Sequence, residues 1–430
     1  MLKREIGKWD LVLLLINSLI GAGIFGLPSK IFALSLWYSI PALFITAGIV
    51  LILVLNFAEV GSRFSKTGGP YLYTLKAFGR FPAFLMGWLL LITRLATYAA
   101  LVNILPSYLS FFYPELDTFS GKIVVIFVIT AFFTFVNYKG IKNATLWNNG
   151  LAIAKLIPLL VFIVVGLFFI QSDLLKIPKA LPEINGFSQS VFLLIFAFTG
   201  FESIIVSTGE IKNPKKNIPF ALIFALLIVS LFYGLIQFVC IGNLPELANS
   251  EKPLADAAFL FMGSKGAILI TIGAFISVSG TLNTVMLIGG RIPFALAEEK
   301  QLPASLAKIH WRYFTPSRSL LLFALLAFLA SVSGTFIYAL SISVISKVMI
   351  FLVVSAALLQ LRLRMKDQKE YFKLRYGKLL AWTGIALSIV LLLTSKTDEF
   401  RAVIITLIFG ALFYLINLVY LKKRKRSDPL

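Results

Sequence analysis

The sequence predicts an all-α polytopic membrane protein with twelve transmembrane helices, and three observations carry that prediction. Of its 430 residues, 59% are hydrophobic and only 14% are charged, against about a quarter in soluble domains. The mean hydropathy is +0.92. Apolar runs of about 20 residues, each able to cross about 30 Å of hydrocarbon, recur along the chain. They are continuous rather than alternating, which excludes a β-barrel.

In chain order the spans fall at 10–35, 38–62, 83–110, 122–138, 148–170, 187–208, 217–242, 266–296, 319–333, 336–360, 379–395 and 400–421. The first run is too long for a secretory signal and lacks a small-residue cleavage site, so it reads as a span. Lys and Arg gather in alternate loops, among them Lys3, Arg4 and Lys8, then Arg63 to Arg80, Lys139 and Lys142, Lys212 to Lys216, and Arg291 to Arg318. The intervening loops, such as "YPELD" and "LPELANSEKP", are short and mixed in sign. The positive-inside rule makes the basic set cytoplasmic, with both termini on that side. Twelve spans require the same parity.

The net charge of +21 is thus spread over loops rather than presented as a nucleic-acid surface. The tail "KKRKR" at 422–426 reads as an anchor of topology. Two stretches, 65–81 and 297–316, mix aromatic with basic residues and are expected to form short interfacial helices. Cys240 is the one cysteine and His310 the one histidine. No intrachain disulfide and no His-based metal cage can be built, so neither metal nor cofactor is expected.

The first span carries its own interruption. In "INSLIGAGIFGLPSK" (16–30), Gly21, Gly23, Gly26 and Pro28 fall inside an apolar run, where Gly costs about 1 kcal/mol and Pro about 3 kcal/mol of helix. Span 6 has a second interruption, "TG" at 199–200, followed directly by Glu202. Two broken spans, five apart and opposite in direction, are the signature of an inverted-repeat transporter. Unwinding in hydrocarbon is tolerable only where the freed backbone groups line a polar cavity. The N–H groups around Gly21 to Ile24 suit a carboxylate, and the carbonyls near Phe196 to Thr199 suit an ammonium. The expected ligand is therefore a zwitterion with the α-groups of an amino acid.

Four segments, "IGAGIFGLP", "NFAEVGSRFSKTGGPYLYTLKAFG", "FAFTGFESIIVSTGEIKNPKKNIPFAL" and "GTLNTVMLIGGRIPFALAEEKQLP", resemble the amino acid–polyamine–organocation (APC) superfamily of amino acid permeases, in order over spans 1 to 8. The resemblance implies a LeuT-like fold with a 5+5 inverted repeat. Residues 1–180 would form the first repeat, 181–365 the second, and 366–430 two extra C-terminal helices with the basic tail. It also implies secondary active transport by alternating access. Gly21, Ala22 and Gly23 match the family's carboxylate-binding stretch, with Ala22 where a hydroxyl residue is frequent. Phe196, Phe198, Thr199 and Gly200 match the stretch of span 6 that contacts the amino group and side chain. Heteromeric members attach a glycoprotein through an extracellular disulfide; Cys240 lies inside a span, so no such subunit is expected. A single-chain permease of a bacterial or archaeal cytoplasmic membrane is the better match.

Among the ionisable residues expected within spans, Glu59, Arg94, Lys155 and Glu202 are singled out. Each costs about 3 kcal/mol at a helix centre and is a candidate for function. Some proton-coupled relatives place a span 5 lysine where sodium-coupled ones hold a cation between spans 1, 5 and 8. Lys155 matches that position, and Ser277 or Ser279 would supply hydroxyls. Glu202 either responds to protons or caps backbone groups freed by the break. Arg94 is expected to pair with Glu202 or Glu59, or to touch substrate. Glu59 and Arg63 stand at i, i+4 spacing, suited to pairing.

The expected function is amino acid transport by proton-coupled symport, with exchange of amino acids or amines as the alternative. The sequence has no HExxH, no GxSxG and no intramembrane histidine with which to build an enzyme. A non-transporting membrane receptor is the reading outside transport. The inferred pocket is largely apolar, favouring neutral or broad substrates, while Glu202 would attract cationic ones.

Overall fold

The computed structural model describes residues 2–21, 23–109, 113–175, 182–333, 336–365, 371–393 and 397–427. Within these, regular structure is helical apart from one isolated bridge between Ile6 and Ile211. The first apolar run forms two helices, α1 (Lys8–Leu19) and α2 (Leu27–Ser35), separated by unwound residues and a 3-10 turn at Gly23–Phe25. There follow α3 (Ser39–Ser62), α4 (Pro70–Phe78), α5 (Arg80–Val102), α6 (Ile104–Leu109), α7 (Phe119–Tyr138) and α8 (Ile141–Phe168). The sixth run is again divided: α9 (Ile184–Ala197), a turn, α10 (Phe201–Ile204), and a 3-10 segment at Ile205–Glu210. The chain continues through α11 (Pro214–Asn243), α12 (Pro253–Gly289), α13 (Arg291–Glu298), α14 (Ser317–Val332), α15 (Phe336–Arg364), α16 (Gly377–Leu393) and α17 (Thr397–Ser427).

Eight helical stretches among the described residues are long and apolar enough to cross a membrane, and three shorter apolar helices lie at Ile184–Ile195, Ser317–Val332 and Gly377–Leu393. The architecture is all-helical and polytopic. The eighth run lies within one helical stretch, Pro253–Glu298, in which α12 passes into α13 at Gly290. One expectation needs correction. The stretch 297–316 is no interfacial helix beyond the end of α13. Pro303 and Pro316 interrupt it, Lys300 and Phe314 take positive φ, and only a 3-10 turn at Ala304–Ala307 forms. The other stretch does contain a helix, α4. Burial raises the pKa of the Tyr71 phenol on that helix, so it stays protonated and donates to Gln301 Oε1 at 2.9 Å.

Large apolar side chains point outward along α7 (Phe127, Val128, Phe135) and α17 (Ile404, Phe409, Ile416). In water that surface would be an aggregation hazard; against lipid it is the ordinary outer face. Inside, α3 packs on α11, α8 on α12, α5 on α15 and α7 on α14. Small residues allow the close approaches. A Cβ on Gly273 would stand 2.9 Å from Pro158 Cβ, and one on Gly289 would lie 2.2 Å from the Phe323 ring.

Polar side chains join the helices across this core. Asn17 Nδ2 donates to Asn148 Oδ1 at 2.6 Å, and Thr284 Oγ1 donates to the same oxygen at 2.8 Å. Asn137 Nδ2 reaches Asn283 Oδ1 at 2.9 Å. These bonds connect α1, α7, α8 and α12 where no water competes for them.

The 3-10 segment 205–210 is tied on three sides. Ile6 pairs with Ile211, and the amide of Gly68 donates to Val206 O at 2.8 Å. Gly69 (φ +48°) lies so close that a Cβ there would stand 2.9 Å from Val206 N. Arg291, counted among loop cations in the sequence, is instead fully buried and grips Glu210 at 2.8 and 2.9 Å. Breaking a buried pair from one side costs about 3–5 kcal/mol, whereas replacing both partners by apolar groups is often neutral. Glu210→Gln alone is expected to lower the thermal midpoint of the detergent-solubilised protein sharply, and Glu210→Leu with Arg291→Met to recover most of it. Melting followed by size-exclusion chromatography checks this; equal midpoints for single and double variants would contradict it.

Candidate functional site

Stopping α1 at Leu19 in the interior leaves its last carbonyls without the next turn's amides, and each acquires another donor. Ile20 N closes on Ile16 O, and Gly21 N turns back to Leu19 O at 3.0 Å. Asn17 O accepts from Lys155 Nζ at 3.0 Å and from Thr281 Oγ1 at 3.3 Å. Ile20 O accepts from Lys155 Nζ and, at 3.2 Å, from Ser277 Oγ, which also lies 3.2 Å from Gly21 O. The Lys155 ammonium, fully buried on α8, thus sits on the negative end of a helix, where a cation is stabilised. Ser277 reaches the break. Ser279, half-buried on the same helix, makes none of these contacts.

The second break lies against the first. Gly200 has φ +129°, and a Cβ there would be 2.5 Å from Ser18 O. Ser18 Oγ donates to Gly200 O at 3.0 Å. Tyr233 of α11 places its hydroxyl 2.9 Å from Leu19 O and 3.2 Å from Ala197 O, the carbonyls that end α1 and α9. Its ring packs on that of Phe198 with centroids 5.2 Å apart, and Phe198 is fully buried.

Glu202 caps the turn: Oε2 accepts from Gly200 N at 2.7 Å, and Oε1 accepts from Arg94 at 3.0 Å. Of the partners considered for Arg94, the structure selects Glu202. Glu59 is held elsewhere, by Arg63 at 3.0 Å as its spacing predicts, by Arg362 at 2.8 and 2.6 Å, and by the amide of Leu374. The structure therefore brings together Gly21, Phe198, Thr199, Gly200, Glu202, Arg94, Lys155 and Ser277, and leaves Glu59 and Ser279 aside. Ala22 lies outside the described residues, and Phe196 is described only as part of the α9 backbone.

The Gly21 amide, one of the expected carboxylate donors, donates to Leu19 O. Beyond it, Gly23 is exposed, and a Cβ there would meet no atom within 4 Å. Ile24 is buried. The open backbone thus begins at Gly23, at the entry to α2, whose first N–H groups have no acceptor within their own helix.

Three participants escaped the sequence reading. Tyr233 and Ser18 are ordinary residues of apolar spans, and only the fold reveals their partners. Lys347 had a visible signal, a lysine inside the run 336–360; its Nζ donates to Thr199 Oγ1 at 3.0 Å. Among the described residues no group of three or more His, Cys, Asp or Glu converges as metal ligands. The chemistry available is recognition: hydrogen-bond donors at one break, carbonyls at the other, and charges behind both.

Comparison with known proteins agrees with this geometry. A family model described as amino acid permease matches residues 6–412. The serine/threonine exchanger SteT of Bacillus subtilis is 33% identical over 327 residues, covering 73% of each chain. The branched-chain amino acid permease BcaP of the same organism is 27% identical over 99% of this chain and 94% of its own. Its methylthioribose transporter is 25% identical over 99% and 95%. These relatives are permeases and transporters, not enzymes.

The two glycines of the breaks make opposite demands. Gly200→Ala imposes both an unfavourable φ and a clash with Ser18, and is expected to destabilise by about 2 kcal/mol or more. Gly23→Ala, facing open space, is expected to leave the thermal midpoint within a degree or two, about the scatter of neutral surface changes. Parallel melts of the two variants measure the contrast, and equal losses would refute it.

Proposed function

The chain belongs to the amino acid permease family, and on that premise we propose that it carries amino acids across the membrane by alternating access, driven by symport with protons. The observation that carries this reading is the contact between the two helix breaks, with a buried lysine on the carbonyls of one. The substrate carboxylate binds the open amides of Gly23 and Ile24 in the turn that leads into α2. Its ammonium binds carbonyls at the end of α9. Glycine at both places lets the ligand approach the backbone.

The 5+5 repeat gains support from the packing. With α1/α2 as span 1 and α9/α10 as span 6, the repeat pairs span n with span n+5. Contacts between spans 1 and 6 (α1 on α10), 2 and 7 (α3 on α11) and 4 and 9 (α7 on α14) then map onto themselves. The contact of spans 3 and 10 (α5 on α15) maps onto that of 8 and 5 (α12 on α8). That of 1 and 7 (α1 on α11) maps onto that of 6 and 2 (α9 on α3). A two-fold relation requires this bookkeeping; an arbitrary bundle does not. The alternate basic loops put both termini in the cytoplasm, and the bacterial relatives favour a bacterial or archaeal cytoplasmic membrane.

Protonated, Lys155 holds Asn17 O and Ile20 O and fixes the end of α1. Loss of its proton removes the charge from that helix end and loosens the break, which couples proton release to rearrangement of the site. Exchange is the second reading, favoured by the 33% identity to a serine/threonine exchanger.

Proteoliposomes separate the two. For one proton per substrate, an inward gradient of one pH unit is expected to drive about tenfold accumulation without internal amino acid. Lys155→Gln is expected to lose that stimulation while retaining exchange across equal pH. Uptake that ignores the gradient and requires internal amino acid would overturn symport in favour of exchange.

A further inference from the structure

Lys347 is a cation whose counter-charge is incomplete. It lies on α15, and among the described residues its ammonium makes one hydrogen bond, to the neutral hydroxyl of Thr199 at 3.0 Å. An ammonium has three protons to donate, and a charged side chain at membrane depth is costly unless paired. The charged groups close enough to act on it are Glu202 and Arg94. Those two form their own ion pair at 3.0 Å, and the second Glu202 oxygen receives the Gly200 amide. Among the described residues one carboxylate therefore stands with two cations at the turn that divides α9 from α10. Glu59, the acid of the second span, is bound by Arg63 and Arg362.

Thr199, the partner of Lys347, lies inside that turn, between Phe198 and Gly200. An amino acid whose α-groups bind the two breaks directs its side chain to the same region. We propose that Lys347 selects substrates bearing a side-chain carboxylate, so that the transported class is the dicarboxylic amino acids. The inference rests on the transport reading above and names the substrate of that same site. An aliphatic side chain would leave the ammonium without a further anion. A cationic one would meet like charge, and Glu202, already neutralised by Arg94, would not attract it. A carboxylate supplies the missing charge and accepts the remaining protons. This replaces the expectation from sequence of a neutral or cationic preference.

The test uses pairs that differ by a carboxylate. Purified full-length protein in liposomes is assayed for uptake of labelled L-aspartate and L-glutamate, with L-asparagine, L-glutamine, L-serine, L-leucine and L-lysine as competitors. The wild type is expected to favour each acid over its amide by about tenfold or more, the range for a desolvated charge pair. Lys347→Gln is expected to collapse that ratio to near unity, and Lys347→Arg to preserve it. Thermal stabilisation of the wild type by glutamate against glutamine gives the same comparison if the variants do not fold. Uptake of neutral amino acids with the acids no better than their amides would overturn the inference and leave the transport reading standing. Folded wild type that neither accumulates nor exchanges any amino acid would overturn both.

Discussion

A helix that stops inside a membrane exposes carbonyl oxygens where no water can serve them, and this molecule is organised around the end of α1. Its terminal acceptors draw donors from three other helices: Lys155 from α8, Ser277 and Thr281 from α12, and Tyr233 from α11. Each unmade bond would cost several kcal/mol in hydrocarbon, so the positions of those helices follow from the need to make them. Asn17 adds a side-chain contact to Asn148 at the same level. The break is therefore a point where four helices are fixed relative to one another, not a weak point in the bundle.

Charge inside the protein follows a related rule. Glu59 with Arg63 and Arg362, Glu202 with Arg94, and Glu210 with Arg291 are acids saturated by guanidinium groups, whose planar forks suit carboxylates. Two lysines behave differently. The fully buried Lys155 faces carbonyls and the half-buried Lys347 faces a hydroxyl, and among the described residues neither forms an ion pair with a carboxylate. The arginines hold helices to one another, while the lysines stand where the helices are broken.

Much of this was legible in the sequence, and the limits have physical causes. Glycine inside an apolar run is a local signal, so the breaks at Gly21–Gly23 and at Gly200 could be read directly. So could Lys155 and Glu202, because charge is rare at membrane depth. The Arg94–Glu202 pair was one of several options, since composition lists charges but does not bring them together. Arg291 was misread as a loop residue because Glu210, which neutralises it, is 81 positions away. Tyr233 and Ser18 gave no signal. A hydroxyl in an apolar helix is unremarkable until the carbonyl it faces is known. The irregular chain after α13, with Lys300 and Phe314 at positive φ and the prolines Pro303 and Pro316, lies under a pattern of basic and aromatic residues that does not reveal it.

The hydroxyl of Tyr233 has one proton and two acceptors, Leu19 O and Ala197 O, which end α1 and α9. It can complete a bond to only one at a time, so the phenol divides its single donor between them according to which half-helix stands nearer. Any motion that slides α1 against α9 shifts that division and leaves one carbonyl less well served as the other gains. The two breaks are in this way mechanically aware of each other through a side chain that belongs to neither.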